Sequence, residues 1–169
     1  MLSVVSGGQT GVDRGALDAA RSAGLPCGGW CPRGRKAEDG PIDAGYALGE
    51  TPSADYAQRT VWNVRDSDGT LVLTRGRPRG GTALTVEAAG KLGRPLLVLD
   101  LAKDPAPEDV LLWIEAEGIT VLNVAGPRES QRPGIGDEAR AFLELLFRLT
   151  STGGRGRGGS GRGSPRASA

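Results

Sequence analysis

The stretch LSVVSGGQTGVDRGALDAARSA, residues 2–23, decides the fold. A short apolar run (Leu2, Val4, Val5) meets Ser6-Gly7-Gly8-Gln9-Thr10-Gly11, and a helical pattern follows at once. Strand, glycine loop and helix N-terminus in that order are how an open α/β sheet presents backbone N–H groups to an anion. Glycine lets the main chain approach closely, and the unpaired first-turn amides and the helix dipole favour negative charge. Thr10 and Asp13 have capping-box-like spacing, with Asp in place of the longer Glu or Gln. A tight βα turn without a ligand has the same signature, so the ligand reading rests on further loops of the kind.

Outward from that stretch, Gly24-Leu25-Pro26 closes the helix and a weak strand follows around Cys27 to Cys31. A polar connection then runs from Pro32 to Thr51 with only Ile42, Tyr46 and Leu48 to anchor it. Its length suits a flap over the first glycine loop, with Arg33, Arg35 and Lys36 as the lid's cations. Thr51-Pro52 reads as an N-cap and first helical residue, and Tyr56, Thr60, Val61 and Val64 share a face, which predicts a helix over 52–65. A buried strand at Thr70–Leu73 leads into a second loop, Thr74-Arg75-Gly76-Arg77-Pro78-Arg79-Gly80-Gly81-Thr82, and a helix to Leu92. Leu96–Leu99 is a third strand, apolar throughout as expected where both sheet faces are covered. A helix over 106–117 and a strand at Ile119–Val124 precede a third loop, Ala125-Gly126-Pro127-Arg128-Glu129-Ser130, and a last helix over 137–149.

This alternation predicts a Rossmann-like α/β fold: an open, mostly parallel five-stranded sheet, right-handed crossovers, helices on both faces. Ligands of such sheets sit beyond the carboxyl ends of the strands, where strand order reverses. The three loops all follow strands, so the candidate phosphate-binding residues are Gly7, Gly8, Gln9, Thr10, Gly11 and Arg14; Gly80, Gly81 and Thr82; and Gly126, Arg128 and Ser130. Glycine permits approach, Ser or Thr donates to a phosphoryl oxygen, and Arg pairs with it bidentately.

Composition agrees: 38% hydrophobic, 4% aromatic and 28 glycines suit an aliphatic, loop-rich α/β domain. Residues 1–150 read as one domain, and 151–169, rich in Gly, Arg and Ser, as a disordered tail. The net charge of +1 includes four tail arginines, so the rest carries −3. A mildly acidic body argues against broad nucleic-acid binding, which wants a basic face. No run is long enough for a membrane span and no leader is visible, so a cytoplasmic protein with free thiols is expected. Without histidine, no protein-bound zinc is expected. Cys27 and Cys31 lack the C-x-x-C spacing and read either as soft ligands to a metal or as small buried residues. Trp30 reads equally as a stacking surface for a planar ring or as a core aromatic.

SGGQTGVDRGALDAA at 6–20, GWCPRGRKAEDGPI at 29–42, ETPSADYAQRTVWNVRDSDGTL at 50–71, GGTALT at 80–85 and GPRES at 126–130 resemble the family known as putative molybdenum carriers. That family is also described as a circularly permuted branch of the SLOG superfamily of Rossmann-like ligand-binding proteins. The resemblance runs in matching order to Leu149. It implies a ligand-binding protein for a nucleotide-like or pterin-phosphate molecule, either carrying molybdenum cofactor or sensing a nucleotide derivative. Related Rossmann-like families often dimerise through helices, which leaves a homo-oligomer open. A related SLOG branch contains phosphoribohydrolases; Gly80-Gly81 and Glu87 keep their glycine-to-glutamate spacing, while Leu84 stands where their threonine belongs. The alternative is therefore a hydrolase cleaving the N-glycosidic bond of a nucleoside monophosphate or an ADP-ribose-like nucleotide, with Glu87, Asp13 and Asp39 as catalytic candidates.

Overall fold

The computed structural model describes residues 1–152. The opening strand β1 (Ser3–Val5) runs through the glycine loop into α1 (Val12–Ser22) and on to β2 (Cys27–Gly28). Along the connection that follows, β3 (Trp30–Cys31), β4 (Lys36–Ala37), β5 (Gly40–Pro41) and β6 (Gly49–Glu50) form two small side pairs, β3 with β6 and β4 with β5. Strict alternation then sets in: α2 (Tyr56–Arg65), β7 (Gly69–Thr74), α3 (Gly80–Lys91), β8 (Leu96–Asp100), α4 (Pro107–Ala116), β9 (Val121–Ala125) and α5 (Ile135–Thr152).

The main sheet has the order β2-β1-β9-β7-β8, with every pairing parallel. The α/β fold with a five-stranded parallel sheet is thus the one the sequence predicts. The last strand is inserted between the first and the third, and this insertion positions the site. On either side of β9, β1 sends its helix to one face and β7 sends its helix to the other. α1, α4 and α5 cover the first face; α2 and α3 cover the second.

The two faces are built differently. Against the first, Val12, Ala16, Ala19 and Ala20 of α1 meet Ala139, Phe142, Leu143, Leu146 and Phe147 of α5 in one large apolar cluster with the strands. Small residues let α1 and α5 approach closely: a Cβ on Gly15 would lie 2.5 Å from the Gly136 carbonyl oxygen. The second face has a smaller apolar cluster, Val64, Ala88 and Ala89, with Val61 and Leu96 beside them. Its helices also bury polar side chains, Arg59, Asn63, Thr82 and Thr85.

Several local expectations are corrected. α2 begins at Tyr56 rather than at Pro52, because Asp55 is the N-cap and accepts from the Ala57 N–H at 3.1 Å. Thr51 instead donates its hydroxyl to Cys31 O and Ser53 O, tying down the long connection. The strand around Cys27–Cys31 breaks at Gly29, where φ is +127°, so its halves join different sheets. β8 is an edge strand with Val98 39% exposed, so its apolar run does not mark two covered faces. α5 continues through Thr152, and the expected tail from residue 153 onward lies outside the described residues.

Candidate functional site

Beyond the carboxyl ends of β1 and β9 lies a hollow of about 70 Å³, roofed by α2 and walled by the first turn of α3. That space is enough for a few waters or a small oxoanion. Each glycine loop contributes to its lining: Gly7 and Gln9 from the first, Gly81 and Thr82 from the second, Gly126 and Arg128 from the third. The other candidates, Gly8, Thr10, Gly11, Arg14, Gly80 and Ser130, do not line it.

Gln9 is 5% exposed. Its side-chain oxygen accepts from the backbone N–H groups of Thr10 and Glu38, both at 3.0 Å. These two donors fix the amide's orientation, since an NH₂ there would face two N–H groups. Nε2 therefore remains, and among the described residues it is the buried side-chain polar atom with no hydrogen-bond partner. An orphaned buried donor costs about 1–3 kcal/mol, which an acceptor in the hollow would offset.

Next to it, Arg59 lies almost wholly buried and donates from Nη1 to Gly7 O at 2.6 Å and to Asp13 Oδ2 at 3.3 Å. Burial pushes the Asp13 carboxyl above the usual Asp value, against the lowering pull of Arg59 and the Gln9 N–H. Tyr56 stands at the mouth with three cations around its ring: Lys36 at 5.0 Å, Arg128 at 5.3 Å and Arg59 at 5.5 Å from the centroid. Such contacts hold positive charge at a desolvated surface without neutralising it.

α3 adds an open N-terminus. Its N-cap is Arg79, which makes no side-chain capping bond, and its first turn contains no acid. The Thr82 and Ala83 N–H groups fold back onto Arg79 O. Those of Gly80 and Gly81 find no acceptor among the described residues, the ordinary condition of an uncapped helix start.

The N-terminus of α1 is arranged in the opposite way. The 36–41 turn of the long connection lays two carboxylates across it. Glu38 accepts from the Thr10 hydroxyl, from Ser130 N at 3.1 Å and from Ser130 Oγ at 2.5 Å, with Arg128 3.9 Å away. Asp39 takes a bidentate pair from Arg14 at 2.5 and 2.8 Å. Burial pulls the Glu38 carboxyl upward, but the bonds from Ser130 and Thr10 outweigh it and hold it below the usual Glu value. The Arg14 guanidinium likewise holds Asp39 low. Thr10, Arg14 and Ser130, expected to grip a phosphate, are thus bonded to the chain's own carboxylates.

The glycines around α1 admit protein neighbours. A Cβ on Gly8 would lie 2.5 Å from Leu48 Cδ1 and 3.0 Å from Ile42 Cδ1, and its φ of +74° disfavours any side chain. Substitution there displaces the flap, rather than filling a ligand site. At Gly11 a Cβ would press on the 127–129 backbone. Of the lid cations, Arg33 is exposed, and Arg35 binds its own loop through Ile42 O, Asp43 O, Tyr46 O and Leu48 O. Lys36 alone of the three reaches the mouth.

Glu87 points outward from α3, 57% exposed at the side chain and paired with Lys91 at 2.5 Å. Of the catalytic candidates, only Asp13 lines the hollow. Cys31 is buried with Ala37 and Ile42, and Cys27 packs against the main core; neither lines the hollow. No cluster of metal-ligating side chains occurs among the described residues. Trp30 lies edge-on to Trp62 at 4.9 Å and donates Nε1–H to Asp66, so it packs within the fold. No described helix is long and apolar enough to cross a membrane.

Sequence reasoning missed the α2 contribution, Tyr56, Arg59 and Asn63. The signal was present in the spacing: 56, 59, 60 and 63 recur at helical period, so an inward-facing stripe of α2 is polar. Asn63 also clamps the flap's root, donating to Trp30 O at 2.9 Å and accepting from Trp30 N at 2.8 Å.

A parallel sheet whose strand order turns at β9, with glycine loops gathered on its carboxyl rim, defines a Rossmann-like α/β domain. The chain belongs to the circularly permuted YpsA SLOG family, whose description matches residues 4–147. It is similar to the crystal structure of a putative molybdenum carrier protein from Syntrophus aciditrophicus SB, with 43% identity, 86% of this chain and 94% of that chain covered, and a TM-score of 0.81. No curated protein matches the chain.

Proposed function

We propose that the protein binds a phosphate-bearing small molecule, molybdenum cofactor or a nucleotide derivative, as a carrier or sensor, with an anionic group of the ligand in the hollow at the carboxyl edge of the sheet. The observation that carries this reading is the orphaned Nε2 of Gln9, a buried donor on a residue that lines a space already bordered by Arg59, Arg128 and the open start of α3. The hollow's size fits the oxoanion end of such a molecule, and the remainder lies over the mouth beside Tyr56 and Lys36. The donors suit phosphate; they offer nothing to molybdenum itself, since no thiol lines the space.

Calorimetric titration with inorganic phosphate and with AMP tests the reading. Saturable binding lost in Gln9→Glu supports it, because that variant keeps the acceptor for Thr10 and Glu38 and replaces the free donor by an oxygen. Equal binding in both proteins would remove the anion from the hollow.

A hydrolase remains the second reading on one observation, the presence of the buried Asp13 carboxyl in the lining. Its raised pKa suits a proton-transferring group. Freed base from AMP or an NAD-type substrate, lost in Asp13→Asn, is the result that reading requires.

A further inference from the structure

A second, larger hollow of about 220 Å³ adjoins the first and shares Gln131 with it. Its wall is the loop that leads from β7 into α3, and its polar lining is dominated by Arg75, Arg77, Arg79 and Arg132. No acidic residue lines it. Arg75 is held by Glu138 in a bidentate pair at 2.7 and 2.9 Å, and Arg132 reaches back to Arg75 O at 3.3 Å. Asp100, the other nearby acid, accepts from Gly76 N on the far side of the loop. The Arg77 and Arg79 side chains are exposed and make no hydrogen bond or ion pair among the described residues.

Cations immediately before a helix are unfavourable, because they meet the positive end of its dipole. Here they precede the helix that has neither a capping side chain nor a first-turn acid. The sequence has concentrated positive charge on this edge, and the structure leaves the Arg77 and Arg79 guanidinium groups free to form planar, bidentate contacts.

We infer that the Arg77–Arg79 loop is a second anion subsite, so that the ligand carries two linked anionic groups: one in the hollow beside Gln9, the other on these arginines, with Gln131 between them. The chemical class is a phosphoanhydride, a molecule with a pyrophosphate or longer phosphate bridge, rather than a monophosphate. This rests on the anion-binding reading of the first hollow and extends it.

The test is a calorimetric series with inorganic phosphate, pyrophosphate and tripolyphosphate on the full chain, its Arg77→Ala/Arg79→Ala variant and Gln9→Glu. For the parent, the best condensed phosphate binds about ten-fold or more tightly than phosphate, as expected for added charge-assisted contacts. In the double arginine variant that advantage disappears while phosphate affinity stays within about two-fold. A Lys91→Ala/Arg94→Ala variant, changing the net charge equally at the other end of α3, retains the advantage. Both pairs are on the surface, and an unchanged melting temperature confirms intact folding.

Condensed phosphates no tighter than phosphate, or an advantage that survives loss of Arg77 and Arg79, would overturn the second subsite while leaving the hollow standing. Phosphate binding indifferent to Gln9→Glu would instead remove the hollow. An advantage lost equally in the Lys91/Arg94 variant would reduce the loop to general charge attraction, which also overturns the proposal.

Discussion

Two helices begin at the same rim of the sheet, on opposite faces, and they are finished in opposite ways. At α1 the chain supplies its own anions: Glu38 and Asp39 bond to Thr10, Ser130 and Arg14. The neighbouring α5 is treated alike, since Glu129 accepts from Gly134 N and Gly136 N at its start. At α3 no carboxylate arrives, the N-cap is an arginine, and a buried amide nearby has no acceptor. Closed helix ends stabilise the domain as it stands. The open one leaves its first-turn donors and its cations to solvent, available to an anion. The same local sequence style, glycine followed by Thr or Arg at a helix start, serves both.

The largest expected effect comes from breaking the pair that supports the open end. Arg59→Ala leaves the buried Asp13 carboxyl without its cation and should cost about 3–5 kcal/mol in denaturant unfolding, besides eliminating phosphate binding. The equivalent change on the closed side, Arg14→Ala, removes a pair whose aspartate is 49% exposed and should cost less than about 1 kcal/mol. Similar costs for the two variants would erase the distinction between them. Next in size, Gln9→Glu should lower phosphate affinity about ten-fold or more with little change in stability.

Much of this was legible in the sequence, and the physical reason for the rest is specific. Strand–helix alternation is written in hydrophobic period, so β7, β9 and the helices after them could be read directly. The glycine loops were correctly assigned to strand ends, and sheet topology brought part of each to one hollow. What periodicity does not carry is which partner satisfies a given donor. Arg14 and Arg59 look alike in one dimension; one meets Asp39, 25 residues away, and the other lies under a helix against Gly7, 52 residues away. In the sequence Glu38 is one residue of a polar flap and Asp39 a catalytic candidate, because nothing local says that the flap will lay both carboxylates over the start of α1. Glu87 looked placed for chemistry by spacing alone, yet its helix turns it to solvent beside Lys91.

The closed end can also be opened deliberately. Glu38→Ala frees the Thr10 and Ser130 donors and should cost about 1 kcal/mol, since the bonds lost are charge-assisted but partly solvated. It should also let a second, weaker phosphate bind, raising the calorimetric stoichiometry. An unchanged stoichiometry would mean that the seal and the open end are not versions of one device.

Acidification separates the two ends more gently, because their carboxyls are shifted in opposite directions. Glu38 and Asp39 are held below their ordinary values, so their contribution is complete above the ordinary carboxylate range near pH 4 and is lost as pH falls through their lowered values. Asp13 is raised by burial, so in the window between its ordinary and its raised value the folded state binds the extra proton, and its contribution to stability grows as pH falls. As the pH falls, Asp13 should therefore protonate before Glu38 and Asp39, with the closed end still intact. Only at lower pH should the 36–41 turn loosen. Amide hydrogen exchange, corrected for its intrinsic pH dependence, reads both: protection at Glu38 and Ser130 should persist through the first step and fall in the second. Loss of protection at Glu38 before Asp13 titrates would mean that the carboxylates at α1 are ordinary solvated charges, and the contrast between the two helix starts would then lie in geometry alone.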